Sequence, residues 1–264
     1  MKAISLALLF ATLLPAETQL ERGKRVVNEA LTALGGEKFR TVKTRVETGR
    51  VYSFYRERLT GLSIATIYTR YSPQAPANDP EGLKVRERES FGKKEESAVL
   101  FLEDAGYQLT YRGAKPVPAD TLARYKATTR NNILYILRNR LDEPGLTVES
   151  RGSDILSNVP VELVDITDAQ NNVISVAFHH LTKLPIRQVY YRRDPESKEK
   201  IEEVSLFTKF RDVGGGVMWP FNVLRERNGE KIFEIFADTI TVNTELADSL
   251  FTLPAGMKIL EKDK

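Results

Sequence analysis

A mainly antiparallel β fold of the α+β class is expected from this chain, on three grounds. Short β-rich runs fill most of it, and many alternate apolar with polar residues as a half-buried strand does. Turn chemistry separates the runs: Asn228-Gly229 is the strongest short hairpin signal, and residues 168–172, 194–196 and 214–216 are further connectors. Links this short make successive strands antiparallel neighbours, and the regular strand–helix alternation of a parallel α/β sheet is missing. A length of 264 residues suits one such domain once a leader is set aside.

The leader is residues 1–16. Met1-Lys2 precedes a continuous apolar run over 3–14, the length of a secretory core and too short for a membrane span of roughly 20 residues. Leu14-Pro15-Ala16 offers a cleavage site, so 1–16 is read as a signal peptide and 17–264 as a single mature domain. No Cys follows the apolar run to accept a lipid, and the mature chain holds no transmembrane helix. The expected location is therefore periplasmic, as a soluble protein.

A helix opens the domain. Thr18-Gln19-Leu20-Glu21 reads as a capping box, Val26, Val27, Ala30, Leu31 and Leu34 share one face, and Gly35-Gly36 ends the helix. In 42–48, Val42, Thr44, Val46 and Thr48 alternate with Lys43, Arg45 and Glu47, which places the charged face on solvent. Strands continue over 51–59 and 62–71 with Thr60-Gly61 as the turn. A proline-rich loop follows at 72–82, then strands at 83–91, 98–103 and 107–112. Pro116-Val117-Pro118 breaks the pattern. Asp120 then caps a second helix reaching about Leu141, with Leu122, Tyr125, Thr129, Ile133, Ile136 and Leu137 on one face and Pro144-Gly145 as its end. The second half is β: 159–166, 173–180, 186–192, 201–210, 217–225 and 231–242. Runs 173–178 and 232–237 are apolar on both faces. Helices covering one face while the other lines an apolar interior would explain this, and so would a two-layer core with ordinary exposed hydrophobes.

Composition excludes several chemistries. The chain has no Cys, so it offers no thiolate nucleophile, no disulfide and no Cys-ligated metal. Its 2 His are adjacent, His179-His180, and adjacent strand residues point to opposite faces, so they cannot chelate one metal. A formal charge of +3 gives no nucleic-acid footprint. Nucleophile elbows and phosphate loops are absent, and Glu87 with Glu89, Glu95-Glu96 and Glu202-Glu203 read as solvated charges among Lys and Arg. Neither catalytic residues nor a cofactor or metal site is nominated, and a non-enzymatic binding role is expected.

A series of motifs then carries a resemblance. Val164-Asp165-Ile166, the Asn171-Asn172 turn and Val173-Ile174-Ser175-Val176 lead to Thr182-Lys183-Leu184-Pro185-Ile186-Arg187. Lys209-Phe210-Arg211-Asp212 passes through glycines to Met218-Trp219-Pro220. Arg227-Asn228-Gly229-Glu230-Lys231, Val242-Asn243 and Ser249-Leu250-Phe251-Thr252-Leu253-Pro254 follow, and Ala33-Leu34-Gly35-Gly36 with Phe39 precedes them. In this order, over residues 21–253, the motifs resemble those of LolA-like proteins, the outer-membrane lipoprotein-sorting superfamily and its uncharacterised bacterial relatives. The resemblance implies an incomplete, half-open β-barrel wrapped around or capped by helices, with an apolar cavity for an acyl chain. It implies lipid or lipoprotein cargo, with envelope proteins as donor and acceptor, and related domains that sense or bind proteins on the same scaffold. Lacking a lipobox, the chain departs from the membrane-anchored acceptor type. On this footing the cavity is expected to be lined by Tyr125, Ile133, Ile136 and Leu137 of the central helix. Inward residues of the later strands, Val176, Phe178, Phe207, Phe233 and Ile235, complete the expected lining. Pro116-Val117-Pro118 and Pro144-Gly145 are the expected hinges.

Overall fold

The computed structural model describes residues 17–73, 82–194 and 197–261. The expected signal peptide, most of the proline-rich loop and part of the 194–196 turn lie outside the described residues.

Helix α1 (Gln19–Leu34) forms as its sequence dictates. The Thr18 hydroxyl accepts from Glu21 N, and the Glu21 carboxylate accepts from Thr18 N at 2.8 Å. Left-handed Gly35 ends it, followed by a single turn, α2 (Glu37–Arg40). The first meander comprises β1 (Thr44–Tyr55), β2 (Arg58–Tyr71), β3 (Val85–Phe91), β4 (Ser97–Phe101), β5 (Gly106–Thr110) and β6 (Gly113–Pro116). Helices α3 (Ala119–Arg130) and α4 (Ile133–Asn139) then lead to the second meander. It runs through β7 (Thr147–Leu156), β8 (Val159–Thr167), β9 (Val173–His179), β10 (Pro185–Arg193), β11 (Lys200–Asp212), β12 (Met218–Arg227) and β13 (Glu230–Val242).

All of these strands join one 13-stranded sheet, in the order β6-β5-β4-β3-β2-β1-β13-β12-β11-β10-β9-β8-β7. Every pairing between neighbours is antiparallel, and β1 against β13 joins the two meanders. The end strands β6 and β7 do not pair with each other, so the curved sheet is an incomplete barrel. The β6 edge is covered instead by the C-terminal segment, where Ala114 N donates to Lys258 O and Leu260 N to Ala114 O.

Four expectations change. The first hairpin turns at Arg56-Glu57, both left-handed, and not at Thr60-Gly61. Runs 42–48 and 51–59 are one strand, because a bulge at Thr48/Gly49 absorbs the irregularity. The second helix is two helices: Asn131-Asn132 interrupts it, and the Asn132 side chain caps α4 by accepting from Leu134 N at 2.9 Å. Strand β7 adds an element that the sequence pattern does not mark, because its inward positions include Ser150 beside Val148 and its hydrophobic alternation is weak.

The concave face carries the main core. α1 lies across β7, so closely that a Cβ on Gly23 would stand 2.6 Å from Val148 O. Val26, Val27, Ala30 and Leu34 of α1 join Ile133, Ile136 and Leu137 of α4 and the inward residues of β8 and β9 in one buried cluster. Helices and interior thus share a single face of the sheet, a two-layer core in which outward Val173 is exposed and Ile232 and Phe236 are half-buried, so the second explanation for the doubly apolar strands describes it and the first does not.

Candidate functional site

The concave face is filled unevenly. Against β7–β10 it is packed by α1 and α4. Between α3 and the inner faces of β1–β3 and β11–β13 lies a cavity of about 360 Å³. Strand register assembles its walls: Arg45 pairs with Thr69 and Glu47 with Ile67 across β1–β2, and Thr69 with Glu87 and Ile67 with Glu89 across β2–β3. From the other side β12 and β13 bring Val223 opposite Ile235 and Arg225 opposite Phe233. Phe207, Trp219, Val85 and Leu134 complete the apolar wall.

A larger depression of about 900 Å³ lies outside, between α2, the end of β2 and the end of α4. Charged and polar side chains dominate its lining. Tyr71 borders both spaces, with the Arg138 guanidinium 3.9 Å above its ring. The cavity beneath α3 is the candidate site, because it joins an apolar wall to inward ionisable groups under a helix.

That roof is held lightly. No residue of α3 is buried, whereas the first five residues of α4 all are. Thr128 sits 3.5 Å from the Tyr190 hydroxyl and accepts from Arg225 at 3.2 Å, and Tyr125 stacks on Phe101 with centroids 3.7 Å apart. The α3–α4 junction is firmer. Buried Gln188 accepts from Ile133 N at 2.7 Å and donates to Asn131 O at 3.2 Å, while fully buried Arg140 donates to Arg130 O at 2.9 Å and to Glu143 at 2.8 Å.

One pole of the cavity is ionic. Arg45 lies 3.2 Å from Glu47 and 3.7 Å from Glu87, receives no more room than the Trp219 ring 4.7 Å away allows, and donates to Thr69 at 3.0 Å. Thr69 in turn donates to Glu87 at 3.1 Å. The Glu89 side chain has no hydrogen bond or ion pair to any described residue, and it lines the cavity. Burial raises the carboxyl pKa of Glu47 and of Glu87 above the usual range, against the attraction of Arg45. Burial, then the Glu87 charge, pushes Glu89 up to about 8. The Tyr125 hydroxyl is buried without a hydrogen bond of normal geometry, and burial followed by Glu87 and Glu89 raises it well above the ordinary tyrosine range.

Of the residues expected to line a cavity, Phe207, Phe233 and Ile235 do so. Tyr125 lies on α3, beside the carboxylates. The remaining five, Ile133, Ile136, Leu137, Val176 and Phe178, are at most 1% exposed and belong to the filled core. The cause is the break at Asn131-Asn132, which lets α4 plug the barrel while α3 roofs it. Arg45 and Glu47, expected on solvent, face inward, as do Glu87 and Glu89. A signal existed: β3 alternates Arg86 and Arg88 with Glu87 and Glu89, so it is charged on both faces, and a strand between two neighbours in a curved sheet must turn one of them in. Glu203, with 4% exposure, accepts from Arg192 at 2.9 Å and Arg227 at 3.0 Å, and His179 Nδ1 accepts from the Leu181 and Thr182 amides; both are structural ties.

No family model matches the sequence, and no curated protein matches it. Solved structures do. A DUF1329 family protein from Desulfovibrio piger superposes with a TM-score of 0.58 at 11% identity, covering 87% of this chain and 97% of that one. A domain named for outer membrane lipoprotein sorting, from Vibrio parahaemolyticus, gives 0.56 at 9% identity, with 88% and 97% covered. A LolA superfamily protein from Nitrosomonas europaea gives 0.51 at 9% identity, with 87% and 97% covered. The fold is LolA-like. The half-open antiparallel barrel with its few helices is the architecture that the resemblance implied. Among the described residues no helix is long and apolar enough to cross a membrane.

Proposed function

We propose that this LolA-like chain is a non-enzymatic binding protein of the cell envelope, exported by residues 1–16 to the periplasm, that holds a lipid or lipoprotein acyl chain beneath α3. The observation that carries the reading is the contrast between the two central helices. α4 is buried in the core, whereas α3 spans a cavity walled by Phe207, Trp219, Val223, Phe233 and Ile235 with no residue of its own buried. Each CH₂ moved from water into such a space is worth about 0.8 kcal/mol, so an acyl chain needs an apolar wall more than it needs polar partners. Release requires α3 to lift, and the Asn131-Asn132 junction, clamped by Gln188, is the pivot. Pro116-Val117-Pro118 remains the hinge at its other end, and Pro144-Gly145 moves out of that role because α4 stays fixed. Donor and acceptor would be other envelope proteins.

Trp219 lines the cavity and is the single tryptophan, so its emission reports occupancy directly. Titration with a long-chain alcohol should shift that emission saturably, and native mass spectrometry of protein from its own envelope should show a lipid adduct. Failure of both would remove the reading.

A second reading, an envelope sensing or protein-interaction domain, is favoured by one feature. β2 pairs with β3 only over 65–71, which leaves an open strand edge before it. On that hairpin Tyr55, Leu59 and Leu62 are each more than half exposed. A partner strand could add to this edge.

A further inference from the structure

Three carboxyl groups, Glu47, Glu87 and Glu89, and two guanidinium groups, Arg45 and Arg225, line the cavity. Arg45 is taken up by Glu47, Glu87 and Thr69, and Arg225 donates to Thr128. One carboxyl is left over. It is Glu89, which faces the space from β3 with no hydrogen bond or ion pair of its side chain to a described residue, Arg225 being the opposite charge nearest in effect, next to a wall of hydrocarbon. Glu89 is half-buried, and a carboxyl that keeps its free surface on a largely apolar cavity offers it to whatever enters. An anionic head group there would meet three carboxyls against two guanidinium groups. A neutral head would gain one ordinary hydrogen bond. A cation would let Glu89 ionise, because three carboxylates would then balance the cation and the two guanidinium groups, and would gain a charge-assisted hydrogen bond.

We infer that the cavity takes an amphiphile bearing a protonated amine, its ammonium group paired with Glu89 and its hydrocarbon lying against Phe207, Trp219, Val223, Phe233 and Ile235. This rests on the binding reading above and narrows its ligand. In the empty cavity Glu89 is held in its neutral form at neutral pH by burial and by Glu87. An ammonium group favours the ionised form, so binding near neutral pH releases a proton. The other groups packed around Glu89 do not compete for that role. Tyr71 of β2, Tyr125 of α3 and Tyr135 of α4 are all kept protonated by burial, Glu47 and Glu87 are tied to Arg45, and Arg225 donates to Thr128.

The test uses the whole mature chain and the Trp219 signal, with dodecylamine, dodecanol and dodecanoate as probes, each below its micelle-forming concentration. Wild type should bind dodecylamine roughly tenfold to a hundredfold more tightly than dodecanol, the range expected of a charge-assisted hydrogen bond, with dodecanoate weakest. Glu89→Gln should bring dodecylamine down to the level of dodecanol while dodecanol binding persists, which also shows that the variant folds. Calorimetry of the wild type in two buffers of different ionisation enthalpy should show a proton released with dodecylamine and none with dodecanol. An amine no tighter than the alcohol, an amine preference that survives Glu89→Gln, or binding of the amine without proton release would each overturn the inference and leave the cavity reading standing. If none of the three probes binds, the cavity reading falls and this inference with it.

Discussion

Replacing Gln188 by methionine isolates the clamp between the two central helices. The side chain is 1% exposed, and the substitution nearly preserves its volume, so little cavity is created. What is lost is a pair of hydrogen bonds. The Ile133 amide, one of the first-turn donors that α4 cannot satisfy itself, loses its 2.7 Å acceptor, and the Asn131 carbonyl loses its 3.2 Å donor. A fully buried donor left unpaired costs about 1–3 kcal/mol, and the half-buried carbonyl a smaller share, so the expected loss is about 2–4 kcal/mol. For a domain of this size that corresponds to a fall in Tm of roughly 4–16 °C. Urea unfolding gives the energy, and hydrogen exchange gives the location: the Ile133 amide and the C-terminal turn of α3 should exchange faster than in wild type, while α1 changes only with global stability. A stability loss below about 0.5 kcal/mol with the Ile133 amide still protected would show that the junction does not depend on this clamp, and the pivot assigned to Asn131-Asn132 would have no support.

Other perturbations probe the remaining parts. In a chain without Cys, the pair Thr128→Cys and Tyr190→Cys is unique, and bridging its two thiols with a bis-maleimide, whose spacer replaces the reach of the tyrosine ring, should tether α3 to β10 and slow uptake of dodecanol; equal uptake rates bridged and unbridged would argue against an opening roof. Glu89→Gln should change the pH dependence of stability. A carboxyl with its folded pKa raised to about 8 from 4.5 binds more protons folded than unfolded, so wild-type stability falls as pH rises across that window, and urea midpoints at its two ends should differ less in the variant. The smaller residual slope would come from Glu47 and Glu87, and an unchanged slope would mean that Glu89 is solvated. Gly49→Val should destabilise by more than 3 kcal/mol, because a Cβ there stands 2.2 Å from the Phe236 carbonyl oxygen and only backbone movement can relieve it; a loss under about 1 kcal/mol in urea unfolding would show that the bulge is plastic.

Much of this architecture can be read from the chain because local chemistry dictates it. Thr18 and Glu21 cap α1 as their spacing requires, and Asn228-Gly229 turns β12 into β13 with both residues left-handed. Such features involve residues within a few positions of one another. The site is less legible, for the opposite reason. Whether Arg45 and Glu47 face water or the interior depends on which side of β1 the helices lie, and an alternating strand looks the same either way. A charged face in such an alternation is expected on solvent, and an isolated charge turned inward would be costly. Here Arg45 meets Glu47 on its own strand, but its partner Glu87 stands two strands away and Trp219 comes from the far meander, so the compensation is visible only in the closed sheet. The long apolar stripe from Leu122 to Leu137 misled for a related reason. Two asparagines cost a helix little by propensity, and it is Gln188, far along the chain, that holds the break in place.

The break also explains why one concave face can hold both a packed core and an open space. A single unbroken helix over 119–139 would present one stripe along the barrel axis, and its contacts would either fill the interior throughout or leave it open throughout. Dividing it lets the two parts obey different demands. α4, with Ile133, Leu134, Ile136 and Leu137, meets the inward aliphatics of β8 and β9 and the α1 stripe, and there apolar burial alone decides the packing. α3 faces β1, β3 and β12, where ionisable groups project inward, and it answers with Tyr125, Thr128 and Thr129 in place of aliphatic side chains. Hydroxyl groups can bridge that pole without filling it. Replacing Thr128 and Thr129 with leucine would add apolar volume at the cavity but leave Arg225 without its acceptor, so the roof could close fully only by burying a charge. The polar underside of α3 therefore keeps the cavity open, and the ionic pole of the sheet keeps that underside polar.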